Sequence, residues 1–179
     1  MNLSEKVALR LLSNLDPEKA HNLAIRALKF GFIPKTQGFQ AKSLELSVAG
    51  LKFKNPLGLA AGFDKNAEAI KPLLEFGFGF IEVGAVTPLA QIGNPKPRLF
   101  RLKEDSAIIN RFGFNNDGMH EVSKRLSKRP SNGIVGLNLG ANKNSADRIN
   151  DFATVFKTCS EFIDFATVNV SSPNTENLR

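Results

Sequence analysis

Apolar residues recur along this chain with two different periods, and the place where the period changes divides it. Leu3, Val7, Leu11 and Leu15 stand four apart with Ala8 and Leu12 alongside, which is one face of a helix. Asp16-Pro17-Glu18 then reads as an N-cap, a proline at the first helical position and an early acid. The spacing predicts a second helix with Ala20, Leu23, Ala24, Ala27 and Leu28 inward, stopped by Gly31 and Pro34. Residues 35–43 are polar and linker-like. Residues 44–53 alternate apolar and polar around Gly50, as a small antiparallel hairpin does.

After Asn55-Pro56 the rhythm becomes short apolar runs separated by amphipathic stretches. The runs at 57–61, 78–83, 134–139 and 166–170 each end in a glycine or a polar cluster. Helical spacing covers 66–76, with Ala69, Ile70, Leu73 and Leu74 inward, then 117–128, then 145–163, with Ile149, Phe152, Ala153, Phe156 and Cys159 inward. Between the second run and residue 117 lies a long loop rich in proline and glycine (Pro88, Gly93, Pro95, Pro97). Strands alternating with helices mean βαβ units and a parallel sheet buried on both faces, with chemistry at the C-terminal strand ends. Four strands make either an open α/β sheet or half of a closed barrel, which takes eight strands and typically about 250 residues. The expected division is a helical extension at 1–36, linker and hairpin at 37–56, and βα units at 57–179.

Composition narrows the class. At 42% hydrophobic and 23% charged residues the chain can build a core and is no disordered segment. The formal charge is +7, and residues 1–42 hold seven Lys/Arg against three acids, a local +4. Positive charge gathered on an amphipathic end favours an anionic membrane surface over a diffuse RNA-binding face, a basic soluble protein being the plain alternative. The two N-terminal helices either cap the domain beneath or meet lipid, and the two roles are compatible. A single cysteine, Cys159, makes neither an internal disulfide nor a cysteine metal site, so a reducing cytoplasm is expected and no metal. No apolar run approaches the roughly 20 residues of a spanning helix, and the N-terminus lacks the apolar core of a signal peptide. Membrane contact would be peripheral.

Four stretches carry candidate chemistry. Ala60-Ala61-Gly62-Phe63-Asp64-Lys65 places small residues at a strand end, where a flat ring can lie against the backbone, and adds one fixed cation; a surface lysine after a turn is the plain alternative. Asn110-Arg111-Phe112-Gly113-Phe114-Asn115 sets amides and a cation among aromatic rings, suited to a planar heterocycle or simply to a structured Ω-loop. Asn138 and Asn169 close the third and fourth runs; amides at strand ends bond neighbouring backbone or face a ligand. Asn169-Val170-Ser171-Ser172-Pro173-Asn174-Thr175 is a dense polar window, or a polar βα turn bent by Pro173. A serine without an adjacent histidine or lysine is a poor nucleophile, but a desolvated one can accept a proton made acidic by hydride loss next door.

In this order and spacing, these spans resemble the quinone-linked class of the dihydroorotate dehydrogenases over residues 11–179. Gly77-Phe78-Gly79-Phe80, Glu82-Val83-Gly84, Thr87-Pro88, Gly93-Asn94-Pro95, Pro97-Arg98 and Phe100-Arg101-Leu102 add to the match. The resemblance implies an α/β, (β/α)₈ TIM-barrel fold holding FMN at its C-terminal mouth. The chain would supply about the first four βα units, after a two-helix extension and a β-hairpin. Ala61, Gly62, Phe63, Asp64, Lys65, Ala85, Asn138 and Asn169 match FMN-contact positions. Lys65, Asn110, Arg111, Phe112, Gly113, Phe114, Asn169 and Asn174 match positions that hold dihydroorotate. Ser172 matches the base that takes the C5 proton while hydride passes from C6 to FMN, yielding orotate. The soluble classes carry a cysteine there, so Ser172 and the helical pair point to the quinone-linked class. In that class the helices form the mouth of a quinone tunnel on the cytoplasmic side of the inner membrane, and His21 and Arg101 match positions lining it. Ala85 departs from the hydroxyl of many relatives and Phe112 from the tyrosine of some. Family members run to roughly twice this length, with the phosphate site after strands 7–8. The expectation is that 179 residues alone would neither hold FMN tightly nor turn over. Two rivals remain: a flavin-dependent RNA dihydrouridine synthase-like barrel, and a non-enzymatic membrane-surface module.

Overall fold

The N-terminal helices form where the periodicity places them. In the computed structural model, which describes residues 3–32 and 41–175, α1 spans Leu3–Asn14 and α2 spans Pro17–Lys29. Asp16 caps α2 by accepting from the Lys19 amide at 2.9 Å, and Pro17 occupies the first turn. The face that α2 buries matches the expected one at Ala20 and Leu28 and departs from it at Leu23. Ala20, Ile25 and Leu28 are buried together with Glu18, while Leu23 is 50% exposed. The true stripe contains a charged residue, which an apolar period excludes by construction. Pro34 and most of the expected linker lie outside the described residues.

The hairpin forms as expected, from β1 (Leu46–Val48) and β2 (Leu51–Phe53), antiparallel. The four apolar runs become β3 (Gly58–Leu59), β4 (Phe80–Val86), β7 (Ile134–Leu139) and β8 (Phe165–Val168), parallel and adjacent in chain order. Chain-order adjacency without a reversal is the barrel arrangement; a doubly wound sheet reverses direction at a switch point. The second run does not stop at Gly84 as its apolar count suggests, because β4 continues through Ala85 to Val86.

Three helices cover one face of this sheet: α3 (Ile70–Glu75), α4 (Met119–Leu126) and α5 (Arg148–Cys159), the last followed by a 3-10 turn. Ile81 and Val83 from β4, and Val135, Leu137 and Leu139 from β7, pack against Ile70, Leu73, Val122, Leu126, Val155 and Cys159. All three helices are shorter than their apolar periods implied. The face of α5 is also rotated toward Val155 and Cys159, leaving Ile149 82% exposed and Phe156 half-exposed. Contact with β7 and α4, rather than the width of the apolar stripe, sets which side turns in.

The alternate residues of the strands face the other way, and they stack in layers. Phe80 covers Gly58 and Phe165 covers Gly136, so each ring fills the space a side chain would need on the neighbouring strand. Phe53, Phe80 and Phe165 meet edge to face at 5.4 and 6.0 Å. Two residues further along β4 comes Glu82, and at the C-terminal end come Gly84 and Asn138, which are register partners. The aromatic layer therefore closes the bottom of the interior and leaves a polar floor above it.

The proline- and glycine-rich stretch reads in sequence as a long loop. It contains a second hairpin, β5 (Leu99–Leu102) with β6 (Ala107–Asn110), which shares no ladder with the main sheet. Four-residue strands are too short for a period to emerge, and the pairing is fixed only when the turn at 103–106 closes them.

Candidate functional site

The loop after β3 supplies the rim. Its backbone is pinned across the strand ends: the Gly62 amide donates to the Gly84 carbonyl (2.9 Å), and the Gly84 amide to the Asp64 carbonyl (3.1 Å). Gly62 has φ +105°, and a Cβ placed there would meet nothing within 4 Å. The space above this backbone is open, and together with Ala60 and Ala61 it forms a shelf on which a flat ring can rest.

Lys65 projects from that rim. Its Nζ donates to the Gly62 carbonyl at 2.6 Å and stands 4.1 Å from the Phe112 ring centroid. Burial, assisted by the Arg98 charge, pulls its pKa down to about 8. Burial also lowers the pKa of His21, whose ring meets Phe63 edge-on at 5.3 Å.

The floor is a directed chain of hydrogen bonds. Asn138 Nδ2 donates to Glu82 Oε1 (2.7 Å), and Asn169 Nδ2 donates to Asn138 Oδ1 (2.9 Å). Glu82 accepts, so Asn138 must turn its amide nitrogen toward it and its oxygen toward Asn169. The amides that face the cavity are thus oriented from below. On the far wall, Asn174 Nδ2 donates to Asn110 Oδ1 (3.2 Å), and Asn94 Nδ2 ties the carbonyls of Arg111 and Asn174 together. Ser172 Oγ accepts from the Asn174 amide at 3.3 Å.

These walls enclose a cavity of about 490 Å³ at the C-terminal ends of the parallel strands. Of the residues singled out in the sequence, Ala61, Gly62, Phe63, Lys65, Ala85, Asn138 and Asn169 line it. So do Asn110, Phe112, Gly113, Phe114, Asn174, Ser172 and His21. Three others do not. The Asp64 carboxylate is taken by the amides of Glu68 and Ala69 (2.9 and 2.8 Å), and burial raises its pKa. Arg111 turns outward to the Pro97 carbonyl. Arg101 donates to the carbonyls of Leu12, Ser13 and Leu15, capping the end of α1. Carbonyls at a helix's end have no onward helical partners, and the guanidinium supplies donors there. A second crevice of about 580 Å³ runs between α2 and the β3–α3 loop, with His21, Phe63, Lys65 and Phe112 on both its wall and the first cavity's.

Sequence reading passed over Glu82 as a site residue. The signal was there, since an acid alternates with apolar residues inside a buried strand, and such a group needs a partner. It passed over Glu18 and Arg98 for a different reason: they are 80 residues apart and no local pattern pairs them.

Parallel strands in chain order, with a ring-sized polar cavity at their C-terminal ends, define a ligand-binding unit of a (β/α) barrel. The sequence pattern of one family, dihydroorotate dehydrogenase, matches residues 43–179. The dihydroorotate dehydrogenase (quinone) of Cereibacter sphaeroides is 57% identical over all of this chain and 51% of its own length. That of Agrobacterium fabrum is 52% identical over 99% of this chain and 49% of its own. A crystal structure of the Eimeria tenella enzyme in complex with ferulenol superposes with a TM-score of 0.87 at 41% identity. It covers 96% of this chain and 49% of that one. The chain belongs to the dihydroorotate dehydrogenase family, and it spans about half the length of the curated relatives it matches. Membership favours the first reading over both rivals.

Proposed function

We propose that this chain forms the substrate-facing half of a site that oxidises dihydroorotate to orotate and passes the electrons to quinone, a step of pyrimidine synthesis. One observation carries the reading: Lys65, Asn110, Asn138, Asn169, Ser172 and Asn174, drawn from four separate stretches, converge on one cavity. The open shelf at Gly62 and the amides above Glu82 suit a flavin ring, and FMN when bound would supply the acceptor for two electrons. Lys65 holds the substrate carboxylate by charge. Asn110 and Asn174 read the ring edge, and Asn138 and Asn169 serve the ring beneath. Ser172 takes the C5 proton as hydride leaves C6, and the Asn174 amide steadies its oxygen.

The N-terminal helices serve the second half-reaction. Val7, Leu11, Leu15, Leu23 and Phe30 are exposed, among basic residues, which suits a helical pair resting on an anionic membrane surface. No helix among the described residues is long and apolar enough to cross a membrane. Placement on the cytoplasmic face of the inner membrane, and quinone entry past His21 and Arg101, follow from the same reading.

The test is anaerobic stopped-flow absorbance of the full-length protein, with dihydroorotate added first and a soluble quinone second. A flavin band that bleaches and then returns is the expected outcome. Flavin that is present but never bleached refutes the substrate, and a protein that purifies without flavin refutes the cofactor.

A further inference from the structure

A buried ion pair between α2 and the substrate-side wall has no task in the reading above. Arg98, 5% exposed, grips Glu18 with two donors: Nε to Oε2 at 3.1 Å and Nη2 to Oε1 at 2.7 Å. Its Nη1 donates to the carbonyls of Ile92 (2.5 Å) and Asn94 (3.1 Å), in the segment that carries the wall. The guanidinium also stands 5.3 Å from the centroid of Phe112, the ring beneath Lys65 Nζ. One side chain thus touches α2, the 92–94 backbone and the aromatic ring of the cavity. Removing one partner of such a pair strands a charge out of water, so the three elements are held as a unit.

We propose that Arg98, held by Glu18, is a positioning residue that joins the N-terminal helical pair to the Phe112 wall and, across that shared ring, fixes the charge environment of Lys65. The inference rests on Lys65 as the anion-holding group of the proposed site. The charges facing Lys65 come from three elements. Asp64 and Glu68 lie on its own stretch, Glu18, His21, Arg26 and Lys29 on α2, and Arg98 before β5. Glu68 is engaged by Lys29 at 3.2 Å, and Lys96 reaches Glu18 from outside at 3.2 Å. Within this set Arg98 drives the Lys65 proton off while Glu18 retains it. The two therefore act in opposite senses on Lys65 although they belong to one bond.

That opposition separates a field from mere scaffolding. The Lys65 protonation midpoint is read by competitive acetylation and mass spectrometry across the neutral-to-alkaline range, in the full-length protein, with no substrate needed. Glu18→Gln should lower the midpoint and Arg98→Gln should raise it, each changing proton affinity by roughly threefold or more. Arg98→Lys keeps the charge and should leave the midpoint near its original value. Arg98→Met, which also removes the charge, serves in place of Arg98→Gln if that variant fails to fold, with the same upward shift expected. If the pair were only scaffolding, breaking it from either side would hydrate Lys65 and raise the midpoint in both. Parallel shifts in the Glu18 and Arg98 charge-removing variants, or no shift in either, overturn the proposal. Orotate binding to the unaltered protein is measured alongside. Its absence with opposed shifts removes the substrate reading alone, and its presence with parallel shifts removes the field alone.

Discussion

The depressed Lys65 pKa makes anion binding a proton-coupled event. Alone in its site, Lys65 titrates at about 8 rather than 10.5, first because it is buried and second because Arg98 repels its proton. A carboxylate about 4 Å away, at an effective dielectric near 20, attracts the ammonium by about 4 kcal/mol. At about 1.4 kcal/mol per pKa unit, that returns the group toward or beyond its ordinary value when the anion is bound. The sign follows. Below about pH 8 the lysine is charged before and after binding, and affinity is flat. Above it, binding must take up a proton, and affinity falls about tenfold per pH unit until the bound group also titrates. Isothermal titration of the full-length protein with orotate, in two buffers of different ionisation enthalpy, reads both quantities. We expect negligible proton uptake near neutrality. About one pH unit above the midpoint, uptake should approach about 0.9 proton, with affinity down about tenfold. Equal affinities at the two pH values, or binding without uptake, would refute the placement of Lys65 at the anion.

Ser172→Ala should slow flavin reduction by about 10²–10⁴ while flavin stays bound, and unchanged reduction in rapid mixing would remove Ser172 from proton transfer. Glu82→Leu strands the Asn138 amide and should weaken flavin binding about 10- to 100-fold by fluorescence titration, with Glu82→Gln much milder. Equal losses in the two would show that volume rather than hydrogen bonding matters there. Leu137→Ala opens the centre of the sheet–helix core and should cost about 2–5 kcal/mol in urea denaturation. A smaller loss would mean that α4 and α5 collapse onto β7.

The parts of this molecule written in local chemistry were legible. Asp16-Pro17 starts a helix wherever it stands, and short apolar runs ending in glycine became the parallel strands with small shifts at their ends. The cavity was legible too, because Asn138 and Asn169 stand at strand ends and Lys65 and Ser172 in the loops that follow strands, which a parallel sheet brings to one edge. What escaped depends on partners distant in the chain. Leu23 stands outward while Glu18 turns in to meet Arg98, and nothing near residue 18 announces that pair. The side chains of Arg101 and Asp64 serve helix ends, a use that no local pattern announces and that ions and ligands share with backbone carbonyls and amides. The β5–β6 hairpin is too short to carry a period of its own.

That hairpin has a consequence for motion. It walls one side of the cavity through Asn110, yet it shares no backbone ladder with the sheet that forms the floor. Side chains hold it at its edges: Arg98 to Glu18 on α2, Arg101 to α1, and Asn110 to Asn174. A two-stranded ribbon is marginal by itself, and its Ile108 and Ile109 are exposed. Breaking these few side-chain ties would free the wall while β4 and β7 keep the bonds between them. Amide exchange across 99–110 is therefore expected to run ahead of that across 134–139, which would let the cavity admit and release ligand on a clock separate from the fold's.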